Sequence, residues 1–94
     1  MGFHSFDVGT QIGPYILLAL LGEGGMGIVH LAEHSGSGER VALKTLTAAK
    51  PKMVRSLRRE IQALKRLQHP HIVRILDEGV TDSGVPWYLS LIHI

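Results

Sequence analysis

Gly22-Glu23-Gly24-Gly25-Met26-Gly27 stands between two apolar runs, Tyr15-Ile16-Leu17-Leu18-Ala19-Leu20-Leu21 before it and Ile28-Val29-His30-Leu31-Ala32 after it. The flanks decide what kind of glycine loop this is. Both runs are apolar and the second is rich in β-branched residues, so both read as strands and the glycines form a hairpin tip. A dinucleotide-binding fold needs a helix directly after its glycines, and nothing here caps or propagates one. A phosphate loop of the NTPase kind needs Gly-Lys-Ser/Thr where this chain has Gly27-Ile28-Val29. With no Cβ at Gly22, Gly24 and Gly27, and with Gly25 adding flexibility, backbone N–H groups of such a tip can approach an anionic phosphate. The same sequence also suits a flexible hairpin turn without a ligand.

Working outward, Val41-Ala42-Leu43-Lys44-Thr45-Leu46 alternates with period two, which puts Val41 and Leu43 on one face of a strand and Ala42 and Lys44 on the other. A small residue beside a lysine suits a flat ring over Ala42 and a phosphate at Lys44. The competing reading is a lysine snorkelling to water from a half-buried strand. Further on, Val54, Leu57, Ile61, Leu64 and Leu67 recur at helical spacing, with Pro51 placed for the first turn. At ~100° per residue these five positions span an arc of roughly 140°. Glu60 falls inside that arc, whereas Arg55, Arg58, Arg59, Lys65 and Arg66 fall outside it. The neighbours of Glu60 three and four positions away are Ser56, Leu57, Ala63 and Leu64, none of them basic. A carboxylate pointing toward the core needs a partner from another element, and Lys44 is the candidate. A glutamate at the stripe edge bent out to water is the alternative.

A glycine hairpin, a strand lysine and an inward helical glutamate, in this order, resemble the small lobe of a protein kinase, and residues from about Gly13 to Tyr88 are similar to the bacterial branch of the Ser/Thr kinases. The Gly24-Gly25-Met26-Gly27 form of the loop is typical of that branch. So are Leu57-Arg58-Arg59-Glu60-Ile61, Leu67-Gln68-His69-Pro70-His71-Ile72-Val73 and Gly84-Val85-Pro86-Trp87-Tyr88. The resemblance implies an ATP site. Leu21, Val29 and Ala42 would line the adenine pocket. Gly22, Glu23, Gly24, Gly25, Met26 and Gly27 would cover the phosphates. Lys44 would hold the α- and β-phosphates and pair with Glu60, the two catalytic residues this stretch supplies. It also implies a Mg²⁺ ion, protein substrates held by a larger second lobe, and transfer of the γ-phosphoryl group to Ser or Thr.

The chain departs from the family after Tyr88, where Leu89-Ser90-Leu91-Ile92-His93-Ile94 contains no acidic hinge residue. No His-Arg-Asp, Asp-Phe-Gly or Ala-Pro-Glu occurs in the 94 residues, so the base and the Mg²⁺ ligands of the family are not among them. The 94 residues are therefore expected to be inactive by themselves. A non-catalytic nucleotide-binding or regulatory module of the pseudokinase kind is the alternative function. Residues 89–94 also match the in-frame translation of the transposon-end adapter used in sequencing libraries, and are read as adapter-derived. The expected organisation is then an N-terminal arm over residues 1–12, a truncated kinase domain over 13–88, and this tail.

Composition agrees with one small domain having a thin core. Ten basic against eight acidic residues give a net charge of +2, which is no nucleic-acid signature. The basic cluster on the helix reads as its solvated face. There is no cysteine, hence no disulfide framework or zinc site, and the six histidines do not recur at metal-ligand spacing. His69 and His71 flank Pro70 in a helix-to-strand connection, where packing roles are expected. Ile16–Leu21 is too short to span a bilayer, and Met1–Asp7 has neither the basic start nor the cleavage pattern of a signal peptide. A cytoplasmic location is expected. The secondary structure expected is strand 15–21, strand 27–33, a turn at Ser35-Gly36-Ser37-Gly38, strand 40–46, helix 52–67, strand 72–79, a turn at Thr81-Asp82-Ser83-Gly84 and strand 85–91. That is an α+β lobe, a five-stranded antiparallel sheet with one helix.

Overall fold

The computed structural model describes residues 8–24, 27–66 and 74–91. Among them, strands β1 (Gln11–Ile12), β2 (Tyr15–Glu23), β3 (Ile28–His34), β4 (Arg40–Thr45), β5 (Ile75–Val80) and β6 (Pro86–Ser90) form one antiparallel sheet, and α1 (Pro51–Arg66) packs on it. The strand order is β1-β2-β3-β4-β6-β5. The expected five-stranded sheet is corrected to six. The extra strand is β1, whose Gln11 and Ile12 pair with Ile16 and Tyr15 around Gly13, a glycine at φ +56°. Two residues are too short to show a period, which is why the pattern does not reveal them. Ile12 is buried, so the fold begins inside the arm expected over residues 1–12. At the other end, Leu89 and Ser90 complete β6. The expected helix end at Leu67, strand start at Ile72 and Val73, and the His69-Pro70-His71 connection lie outside the described residues.

The turns form where the sequence places them, because each has a glycine able to adopt positive φ. Gly38, at φ +75°, closes the β3–β4 turn, with its N–H donating to the His34 carbonyl at 2.9 Å. Gly84, at φ +88°, does the same before β6, donating to the Thr81 carbonyl at 2.9 Å.

Alternation along the strands separates two faces. Val41, Leu43 and Thr45 are buried on one, and the pairings Ala32–Val41, Leu43–Leu89 and Thr45–Trp87 extend that face across the sheet. The sheet curls around it. Tyr15 of β2 meets Trp87 of β6 edge-on, with ring centroids 6.1 Å apart, although three strand boundaries separate the two strands. Gly79, paired with Trp87, gives the indole its place: a Cβ there would lie 2.4 Å from Trp87 Cζ2. On the opposite face lie Val29, Lys44, Tyr88 and Glu78, one row in register across β3, β4, β6 and β5. Helix α1 packs over the β6–β5 end of this face through Leu57 and Ile61, with Met53, Val54 and Leu64 at the margin. Lys65 of α1 also reaches Glu78 of β5, Nζ to Oε2 at 2.9 Å. The five basic positions read as the solvated side of the helix are all exposed, and Lys65 combines that exposure with this ion pair.

Candidate functional site: a glycine hairpin over a lysine–glutamate pair

The hairpin between β2 and β3 narrows to its tip through the pairs Gly22–Val29 and Glu23–Ile28, and Gly24 N–H donates to the Gly27 carbonyl at 2.9 Å. Gly25 and Met26 lie outside the described residues. A Cβ added at Gly22 or Gly24 would meet no atom of the described residues within 4 Å. Packing therefore does not demand glycine there; what the missing side chains leave is open approach to the backbone. Gly27 differs. A Cβ there would stand 3.1 Å from the Thr45 carbonyl oxygen and 3.2 Å from Lys44 Cε, so this glycine lets the stem of the lysine pass beneath the hairpin.

Lys44 leaves β4 on the face opposite the curled core, between Val29 and Tyr88 of the neighbouring strands. Glu60 descends from α1 toward it, one turn from Leu57 and Leu64 and next to Ile61, so burying the apolar stripe points the carboxylate at the sheet. The Lys44 ammonium donates to both carboxylate oxygens, at 3.0 Å to Oε1 and 2.9 Å to Oε2. The two side chains are 32% and 34% exposed, so water still reaches the pair and its contribution to stability is at most about 1 kcal/mol. Two of the three ammonium N–H groups go to Glu60, which leaves one for a ligand. Tyr88 donates its hydroxyl to Glu60 Oε2. Burial pushes the Tyr88 phenol far above its ordinary range, and the hydrogen bond to Glu60 and the nearby negative charge push the same way.

These groups border a cavity of about 400 Å³ lined by Gly22, Glu23, Gly24, Gly27, Val29, Lys44, Leu46, Leu57 and Glu60. Its floor is apolar and its roof is hairpin backbone, with one cation held at the side. Such a cleft can accept a phosphorylated ligand, with backbone N–H groups and a point charge meeting the anion. Of the residues expected at the site, the structure brings together Gly22, Glu23, Gly24, Gly27, Val29, Lys44 and Glu60. It leaves Leu21, half exposed at 51%, and Ala42, partly buried between Leu31 and Ser90, outside the cavity wall. Leu46 and Leu57 join the cavity wall, and Tyr88 joins the Lys44–Glu60 pair, without a signal of this in the sequence. Leu46 and Leu57 sit on apolar patterns that signal only core. Tyr88 becomes a neighbour of Lys44 through the pairing of β4 with β6, strands separated in the chain by α1 and β5. Among the described residues, no group of three or more His, Cys, Asp or Glu could hold a metal ion. No helix there is long and apolar enough to cross a membrane.

Comparison with known proteins places this geometry. The protein kinase domain family matches residues 15–89. The Ser/Thr-protein kinase PknH of Mycobacterium tuberculosis is 45% identical over 89 residues, which is 92% of this chain and 14% of that protein. The carbon catabolite-derepressing protein kinase of Candida albicans is 47% identical over 71 residues, 72% of this chain and 12% of that protein. The chain thus spans about one-eighth of the length of these relatives. Among solved structures, the kinase domain of M. tuberculosis PknI superposes with a TM-score of 0.69 at 32% identity, covering 93% of this chain and 35% of that one. The apo form of PpkA-294 superposes with a TM-score of 0.77 over 96% of this chain and 39% of that one; at 18% identity it bears on the fold alone. Sequence and architecture agree: the chain belongs to the protein kinase family and carries the small, N-terminal lobe of its domain.

Proposed function

We propose that this lobe is the ATP clamp of a Ser/Thr protein kinase, which transfers the γ-phosphoryl group of ATP to hydroxyl groups of protein substrates. The observation that carries the reading is the Lys44–Glu60 pair opening beneath a glycine hairpin in which a Cβ at Gly22 or Gly24 would meet no atom of the described residues. In this reading the backbone of Gly22, Gly24 and Gly27 covers the phosphates, and the free N–H of Lys44 meets the α- and β-phosphates. Glu60 holds the ammonium in place, and Val29 borders the base, with Leu21 and Ala42 next to it. Mg²⁺ would neutralise the β- and γ-phosphates when bound. This lobe supplies it no cluster of ligands among the described residues, so residues 13–88 would act with a second lobe that holds both metal and substrate. The adapter origin of residues 89–94 belongs to the same proposal.

The test is binding of MgATP to the 94-residue chain by calorimetry, with Lys44→Met as the comparison. Binding that weakens at least about tenfold in Lys44→Met supports the reading, since a charge-assisted bond to phosphate is lost. Equal affinity in the two proteins refutes it. The same chain incubated with radiolabelled ATP and a generic protein substrate is expected to transfer no phosphate. Transfer that disappears in Lys44→Met would show that these residues suffice without the second lobe.

A further inference from the structure

Two donors converge on one carboxylate at the cleft. Lys44 and Tyr88 are direct cross-strand partners on β4 and β6, so their side chains leave the sheet side by side on the face that carries α1. Lys44 Nζ donates to both oxygens of Glu60, and the Tyr88 hydroxyl donates to Oε2. The donors differ in how firmly they hold. The ammonium ends a flexible four-carbon stem and is about one-third exposed, so water competes for the pair. Tyr88 is only 6% exposed, its ring is fixed by packing, and its strand is bonded on both sides, to β4 and β5. The phenol stays protonated well beyond the ordinary range for a tyrosine, so its hydroxyl remains a donor to Glu60 through neutral pH.

The difference matters when an anion enters the cleft. A phosphate draws N–H groups of Lys44 toward itself. A carboxylate held by the lysine alone would then follow the ammonium or turn out to water. A carboxylate that is also tied to a rigid phenol stays where it is, and continues to aim the ammonium. Lys65–Glu78, at the far end of the same cross-strand row, holds α1 over the sheet from another point and leaves the Glu60 side chain itself free to rotate.

We propose that Tyr88 is a positioning residue of the nucleotide site, its hydroxyl holding the Glu60 carboxylate and, through it, the Lys44 ammonium beneath the glycine hairpin. The proposal rests on the reading that Lys44 receives nucleotide phosphates.

The experiment compares the 94-residue wild type with Tyr88→Phe, Glu60→Gln, the double variant and Lys44→Met. One readout is MgATP affinity. The other needs no nucleotide: the rate at which limiting acetic anhydride acetylates each lysine, followed by mass spectrometry. Removing one hydrogen bond to a charged group should weaken MgATP binding by about 3- to 10-fold in Tyr88→Phe. Acetylation of Lys44 should rise relative to Lys50, Lys52 and Lys65. Neither quantity should change further when Tyr88→Phe is added to Glu60→Gln, because the hydroxyl acts through that carboxylate. Unchanged Lys44 acetylation in Tyr88→Phe overturns the proposal, whatever its melting temperature does. Unchanged MgATP binding in Lys44→Met overturns the functional reading instead, and the acetylation contrast still decides the Tyr88–Glu60–Lys44 linkage. Should Tyr88→Phe lose the native circular dichroism spectrum, tyrosinate absorbance decides. Tyr88 must ionise at lower pH in Glu60→Gln than in the wild type, and an unchanged titration refutes the linkage.

Discussion

Replacing Gly79 by alanine sets a methyl group against the indole of Trp87. The new Cβ would lie 2.4 Å from Cζ2 and 2.7 Å from Cε2. Carbon atoms rest at about 3.5–4.0 Å, so ring and strand must separate by roughly 1 Å or more. The indole has little room to yield. Tyr15 stands edge-on to it at a centroid distance of 6.1 Å, and Gly13 borders another side, where a Cβ would be in ordinary contact with Cζ2 at 3.5 Å. Overpacking of this kind costs about 1–3 kcal/mol, and the upper end applies because the alternative is to move β5 away from β6. The loss of chain freedom in the unfolded state returns about 0.4–1 kcal/mol. A net loss of about 2 kcal/mol corresponds to a fall in Tm of about 8–16 °C for a domain of this size. Trp87 is the only tryptophan of the chain, so its fluorescence reports the melt directly, with far-UV circular dichroism as the second probe. Adding Trp87→Leu should make the alanine nearly harmless, because the clash has then lost its partner. A Tm for Gly79→Ala within about 2 °C of the wild type, less than about 0.5 kcal/mol, would refute the packing argument.

Three further outcomes follow from the geometry. Gly24→Ala should leave the Tm within about 3 °C of the wild type, since its Cβ meets no atom of the described residues, yet weaken MgATP binding by more than about fivefold if phosphates approach that backbone; calorimetry and thermal melts on one sample separate the two effects. Thr45→Val keeps the shape but removes the hydroxyl that donates to the buried Pro86 carbonyl at 2.9 Å, so urea unfolding should show a loss of about 1–2 kcal/mol, and an unchanged midpoint would count against that bond. Tyr88 holds its proton in the folded chain beyond the pH at which it ionises when unfolded, near 10.0, so stability should fall as pH rises past about 10, at up to about 1.4 kcal/mol per unit for this one group. In Tyr88→Phe that alkaline limb should be shallower by one proton, with the part owed to Tyr15, whose phenol is also raised by burial, remaining.

The glycine hairpin, the alternation that turns Lys44 away from Leu43, and the helix phase that turns Glu60 inward are local patterns, and the sequence displays them before any fold is known. Burying Leu57 and Ile61 turns the Glu60 position toward the sheet, and there its carboxylate lies 2.9 Å from the Lys44 ammonium. What the sequence hides is made by pairing between distant strands. Tyr88 joins the site only because β6 inserts between β4 and β5, and Lys65 finds Glu78 through the packing of α1 over β5. Trp87 meets Tyr15 through curling of the whole sheet, which no window of residues records. β1 is not legible in the sequence because two residues carry no period. Leu21 and Ala42 were placed at the site by family resemblance, and their position beside the cavity rather than in its wall is a matter of tertiary geometry.

The outermost strand β5 has a consequence for how copies of the lobe meet. A sheet end offers unpaired N–H and C=O groups that another chain can extend by adding a strand. One end of this sheet is β1, only two residues long. The other is β5, where the register slips between Ile75 and Asp77 and two neighbouring carboxylates, Asp77 and Glu78, stand exposed. A bulge bends the ladder that an incoming strand must match, and a second copy would bring its own Asp77 and Glu78 against these. Leu76 and Val80 are exposed on the same strand, and Leu20, Leu21 and Leu91 elsewhere, so the surface has apolar area to hide. The β5 end is nevertheless built against fibre-like growth, whereas β1 covers only the Tyr15–Ile16 stretch of the β2 edge and leaves the part carrying Leu20 and Leu21 without a strand partner among the described residues.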